Sequence, residues 1–128
     1  MLNGKRVLVV ESQFLIALEM QRILEEADAG KTVFARSIDE AESLADRFGD
    51  YDLAIIELPF DNLGAIALAQ HLLTAGIAVV AVSTDRSFRR AAAQALGTPV
   101  IEKPFTQEQL VTACLHALAT TSPGQAGG

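Results

Sequence analysis

Little in this chain could staple it, anchor it to a membrane or hold it to a polyanion. Cys114 is the single cysteine among 128 residues, so no intrachain disulfide can form. It falls in an apolar helical pattern, where a cysteine serves as a small core residue. Basic residues are scarce: 10 Lys and Arg against 16 Asp and Glu give a net charge of −6. That balance argues against nucleic-acid binding, because affinity for phosphate backbones comes mainly from Lys and Arg. The one basic cluster, Arg86, Arg89 and Arg90, reads as a solvated helix face. No apolar stretch approaches the about 20 residues of a membrane span. Val7 to Val10 is too short for a signal-peptide core, and Glu11 interrupts it. The expected setting is a reducing cytoplasm, with no membrane contact.

Several catalytic motifs are missing too. A dinucleotide fold needs G-x-G-x-x-G after its first strand; here Glu11-Ser12-Gln13-Phe14 stands in that place. The glycines and G-K-[ST] of a nucleotide P-loop are absent, and so is the G-x-S-x-G of an esterase-type nucleophile. His71 and His116 are isolated on predicted helices, and neither Ser12 nor Ser83 has a visible general base. The expectation is a protein that is not an enzyme.

What the chain does have is a repeated alternation. Half its residues are hydrophobic, and its length suits one domain with one sizeable core. Residues 5–10 read as a buried strand. Residues 13–28 follow with Ile16, Met20, Ile23, Leu24 and Ala27 on one helical stripe, ended by Gly30. Thr32 to Ala35 is a short strand. Ser37-Ile38-Asp39-Glu40 is a capping box with Glu40 placed to bond back to Ser37; its helix carries Ile38, Ala41, Ala45 and Phe48, and Gly49-Asp50 turns the chain. Residues 52–57, apolar on both faces, suit a central parallel strand. After the loop Pro59 to Gly64 come a helix to about Thr74, a strand at 77–82, a helix at 86–96 closed by Gly97 and a strand at 99–102. A second capping box, Thr106 to Gln109, opens a last helix to about Ala119. The domain is thus expected over 1–120, and 121–128, with its Pro and three Gly, as a flexible tail.

Alternating strands and helices imply a parallel sheet covered on both faces, a three-layer α/β sandwich. Five strands in one small domain suggest the flavodoxin-like (βα)5 order 2-1-3-4-5. In that order the ends of strands one, three, four and five crowd together. Glu11, Ser12, Glu57, Ser83 and Lys103 would then converge at the edge where open α/β folds place their sites.

These residues resemble a response-regulator receiver domain of bacterial two-component signalling over about residues 4–119. The matching stretches are Val7-Leu8-Val9-Val10-Glu11-Ser12, the strand ending at Glu57, Ser83, and Lys103-Pro104-Phe105-Thr106. In that family two acidic residues after the first strand hold Mg²⁺, and an aspartate ending the third strand accepts a phosphoryl group from a histidine kinase. A Thr or Ser after the fourth strand and the lysine before proline contact that group. Mg²⁺ takes hard oxygen ligands and neutralises phosphate charge, and the lysine supplies a point charge. By this resemblance Glu57 stands at the phosphoacceptor position. Glu11, Ser12 and the Pro59 carbonyl stand at the metal site, Ser83 and Lys103 at the phosphate site, and Val100 at the aromatic switch position. The Lys103-Pro104 bond is implied to be cis.

The departures weigh on the chemistry. Ser12 puts a neutral hydroxyl where a carboxylate is usual, and Glu11 and Glu57 are each longer than the usual aspartate. An extra methylene moves the Glu57 carboxylate by roughly 1–1.5 Å, and a misplacement of about 1 Å costs on the order of 10²-fold in rate. Mg²⁺ binding should be weak or absent, and no cofactor is expected. Glu57 is long enough to reach Lys103 and hold one conformation without phosphate. The expected function is therefore a degenerate receiver, independent of phosphorylation, that acts through a protein partner: a histidine kinase or a downstream regulator. A homodimer through the fourth helix, fifth strand and fifth helix, including Phe88, Arg89 and Arg90, is a further expectation. The alternatives are a phosphorylatable receiver using Glu57 or Asp61, a drifted pocket on a scaffold, and a small α/β enzyme or ligand-binding module that shares the fold.

Overall fold

The computed structural model describes residues 1–58, 63–84 and 86–120. Pro59, Asp61 and the tail 121–128 lie outside the described residues, as do the side chains of Phe88 and Arg89. The elements in chain order are β1 (Val7–Val10), α1 (Phe14–Glu26), β2 (Thr32–Ala35), α2 (Ile38–Glu42), a 3-10 helix (Ala45–Asp50), β3 (Leu53–Leu58), α3 (Leu63–Thr74), β4 (Ala78–Ser83), α4 (Arg86–Leu96), β5 (Val100–Glu102) and α5 (Gln107–Thr120). All pairings are parallel, and the sheet order is β2-β1-β3-β4-β5. The expected flavodoxin-like (βα)5 topology is the one observed.

Strand composition explains that order. β1 and β4 are buried at every position and β3 at all but Glu57, as continuous apolar runs covered on both faces must be. β2 keeps three residues half-exposed and the three-residue β5 keeps two, so both belong at edges. Strand alternation then splits the core into two layers. Leu8, Val10, Ala54, Ile56, Val79 and Ala81 pack against the α2–α4 side. Val7, Val9, Leu53, Ile55, Val80 and Val82 pack against α1 and α5.

Three local expectations need correction. Gly30 does not end α1, which stops at Glu26; Asp28 takes the positive φ of 65°. Gly30 instead lets two backbones meet, since a Cβ there would lie 2.3 Å from the Gly4 carbonyl oxygen. The second helix is shorter than expected: Ala45 and Phe48 lie in the 3-10 helix, which also takes in Gly49 and Asp50. The first capping box is only half made. Ser37 Oγ accepts from the Glu40 amide at 3.0 Å, but among the described residues Glu40 makes no return bond. The second box is complete, with Thr106 Oγ1 accepting from Gln109 N and Gln109 Oε1 accepting from Thr106 N. His71 serves packing, as its ring meets Phe48 edge-on and Nδ1 lies 3.2 Å from Glu42.

Candidate functional site at the sheet edge

Register and alternation build the site. Val10 pairs with Ile56, so Glu11 and Glu57, one residue further, stand side by side. Alternation from Val9 and Ile55 aims both toward the α1–α5 layer. Ile101 packs in that same layer, and Lys103, two residues on, shares its parity. Three charged side chains thus share one face and one edge.

They meet around the lysine. Lys103 Nζ donates to Glu57 Oε2 at 2.9 Å and to Glu11 Oε2 at 3.0 Å. Nζ also lies 2.9 Å from Glu11 Oε1, an atom that has no directed hydrogen bond of its own. The cluster is largely closed to water: side-chain exposure is 8% for Lys103, 0% for Glu11 and 15% for Glu57. Ser12 completes the ring, donating to Glu57 Oε1 from its amide at 3.0 Å and from its hydroxyl at 2.8 Å. The Gln13 amide donates to Glu11 Oε2 at 3.1 Å, and Gln13 Oε1 makes a long 3.5 Å contact with Nζ.

The two carboxylates respond in opposite directions. Burial alone would raise Glu57, but bonds from Lys103 and from both donors of Ser12 outweigh it, so its carboxyl sits below the ordinary glutamate range. For Glu11 burial prevails over the bonds from Lys103 and the Gln13 amide, and the adjacent Glu57 charge adds to the rise. One ammonium serves two acids, and the acid with more donors ionises more readily.

The remaining sequence-nominated residues are placed as follows. Ser83 is the last residue of β4, fully buried, and pairs with Leu58 and Glu102. Its carbonyl accepts from the Lys103 amide at 2.9 Å, which fixes the backbone that carries Lys103. Among the described residues the hydrogen-bond partners of Glu57 are Ser12 and Lys103, so Ser83 is not brought onto its carboxylate. The Lys103-Pro104 bond is cis. Val100 is buried against the α2–α4 layer, and Arg90 is exposed.

Sequence reasoning missed the lysine's second partner, Glu11, and the role of Gln13. The signal was available in the shared parity of residues 9, 11, 55, 57, 101 and 103. It also passed over Phe14, Leu15 and Leu18, apolar residues off the α1 stripe that are exposed.

No family model matches the sequence, and no curated protein matches it. Solved structures do. A Burkholderia pseudomallei protein described as related to pilus assembly superimposes with a TM-score of 0.78 at 17% identity, over 95% of each chain. The receiver domain of Francisella response regulator 1452 gives 0.75 at 22% identity, over 92% of this chain and 99% of that one. A response regulator from Thermotoga maritima gives 0.76 at 19% identity, over 91% and 99%. The chain has the receiver-domain fold. Among its described residues, no helix is long and apolar enough to cross a membrane. No group of three or more His, Cys, Asp and Glu side chains there is arranged to hold a metal ion.

Proposed function

We propose that this chain is a receiver module of bacterial two-component signalling that works without aspartyl phosphorylation and acts by binding another protein. The observation that supports it is the closure of the pocket by its own side chains. Lys103, at the position that pairs with a phosphoryl group in receivers, is bonded to both Glu57 and Glu11. Ser12 spends both its donors on Glu57. On this reading the internal carboxylate of Glu57, with a charge of the same sign and the same ammonium as partner, takes over part of the role of a phosphoryl group.

Magnesium fits this donor set poorly. The ion requires near-octahedral oxygen ligation and usually one or two carboxylates. Here both carboxylates are held by an ammonium at 2.9–3.0 Å, and the Ser12 hydroxyl donates toward Glu57 instead of facing outward. A divalent cation would have to displace Lys103 first. The module is accordingly read as a non-enzymatic binding unit with no resident cofactor.

The test is to incubate the chain with acetyl phosphate and Mg²⁺ and weigh it intact. The expected result is an unchanged mass and an unchanged melting temperature with Mg²⁺, because a ligand that binds the native state must raise it. Stoichiometric phosphate on Glu57 would overturn the proposal. The double variant Ser12→Asp, Glu57→Asp serves as the positive control: shortening one acid and adding the second carboxylate should open the site to Mg²⁺.

A further inference from the structure

A second feature lies beside the charged cluster, on the opposite side of α1 from the core. Phe14 and Leu18 are one helical turn apart and 70% and 45% exposed, so they form a ridge on the outer face. Together with Ala17 and Phe34 they line a groove of about 350 Å³, whose polar lining is Glu11, Ser12, Gln21 and Arg36. An apolar lining with a polar rim is the anatomy of a recognition groove.

The groove's charge decides what fits it. Arg36 is exposed and, among the described residues, makes no hydrogen bond or ion pair. On α1 itself, Arg22 is tied to Glu19 and Glu26. The one acid in the groove, Glu11, is already compensated by Lys103. The groove therefore offers one uncommitted cation beside its apolar side chains, on a protein that is otherwise acidic. We infer that the α1–β2 groove docks a short segment of a partner protein that pairs a large aliphatic or aromatic side chain, seated between Phe14, Leu18 and Phe34, with a carboxylate on Arg36. Guanidinium groups take carboxylates through a planar fork, and large apolar anchors in small pockets carry most of the energy in such contacts. The inference stands on α1 and β2 and is independent of whether Glu57 can be phosphorylated.

The experiment uses the full chain as bait for a phage-displayed library of random short peptides, followed by titration of the enriched peptides into ¹⁵N-labelled protein. Enriched sequences should combine Leu, Ile or Phe with Asp or Glu, and should shift the amides of Phe14, Ala17, Leu18, Phe34 and Arg36. Arg36→Glu should weaken binding by about tenfold or more, because it turns attraction into repulsion at the rim. Arg36→Lys should retain most of it. Leu18→Ser, also at an exposed position, should abolish binding while far-UV circular dichroism stays unchanged. Three results overturn the inference: no enrichment over a library panned on the Leu18→Ser variant, enriched peptides that are basic, or shifts confined to α4, β5 and α5. A concentration-dependent dimer that Leu18→Ser dissociates in sedimentation would also overturn it, since the occupant would then be a second copy.

Discussion

Lys103→Met isolates the charged cluster. It removes the one cation shared by two carboxylates and leaves a side chain of similar reach. Glu11 and Glu57 then face each other as side-by-side anions, one fully closed to water and the other nearly so. Breaking a buried ion pair by removing one partner costs about 3–5 kcal/mol. Glu57 keeps both Ser12 bonds and Glu11 keeps the Gln13 amide, so the lower end, about 3 kcal/mol, applies at pH 8. For a chain of this size that is a fall in melting temperature of roughly 10 °C. The pH dependence supplies the signature. Without the ammonium Glu11, already raised above its unfolded value of 4.5 by burial and by the Glu57 charge, rises further, and Glu57 moves up from its lowered position with only the Ser12 bonds still holding it down. A raised carboxyl binds its proton more tightly in the native state. Its contribution is fully present below the unfolded pKa and is lost as pH rises through the folded one. The variant's deficit should therefore shrink steadily from pH 8 toward pH 5. In the parent only Glu11 is raised, so above 4.5 it alone gives such a slope, whereas the lowered Glu57 contributes stability that is lost only as pH falls below 4.5. Urea denaturation at pH 5, 6.5 and 8 measures both. Adding Glu11→Gln and Glu57→Gln to Lys103→Met should restore much of the stability, as neutral replacement of a buried ionic cluster is often tolerated. Equal stability of Lys103→Met and the parent at pH 8, or a deficit that does not change with pH, would refute the account of the cluster.

Three further outcomes follow from the packing. Gly30→Ala places a Cβ 2.3 Å from the Gly4 carbonyl oxygen; backbone against backbone has little room to yield, so a loss of about 1–3 kcal/mol is expected by thermal unfolding. Thr106→Ala removes one acceptor of the reciprocal α5 cap and should cost about 1 kcal/mol, whereas Ser37→Ala should cost less, because that box is only half made. Cys114 is buried, and burial pushes its thiol up to about 12; in the native chain it should resist a thiol-specific alkylating reagent at pH 8 and react once urea unfolds the protein.

The Gly30 and Glu40 corrections show where one-dimensional reading stops. A glycine after a helical stripe satisfies the pattern of a helix stop, but what fixes Gly30 is the approach of Gly4, 26 residues earlier in the chain, a contact no local pattern encodes. Ser37 and Glu40 have the spacing of a capping box, yet the reciprocal bond depends on the rotamer of an exposed glutamate. The strands were more legible. The apolar runs of β1, β3 and β4 against the less apolar β2 and the three-residue β5 foretold which would be central and which would be edges, because burial on both faces demands it.

By itself the sequence determined the alternating αβ order, the parallel sheet and the residues present at its edge. These follow from periodicity and from the short connections between elements, which are properties of neighbouring residues. It also made a Glu57–Lys103 contact foreseeable, since the longer acid and the retained lysine complement each other. Only the tertiary structure decided that the same ammonium also holds Glu11 and that Ser12 turns both donors onto Glu57. It alone decided that Arg36 overlooks an apolar groove between α1 and β2. The physical reason is shared: partners 45 to 92 residues apart in the chain are joined by strand register and side-chain parity, and a shift of one residue in either would carry a carboxylate to the other face of the sheet.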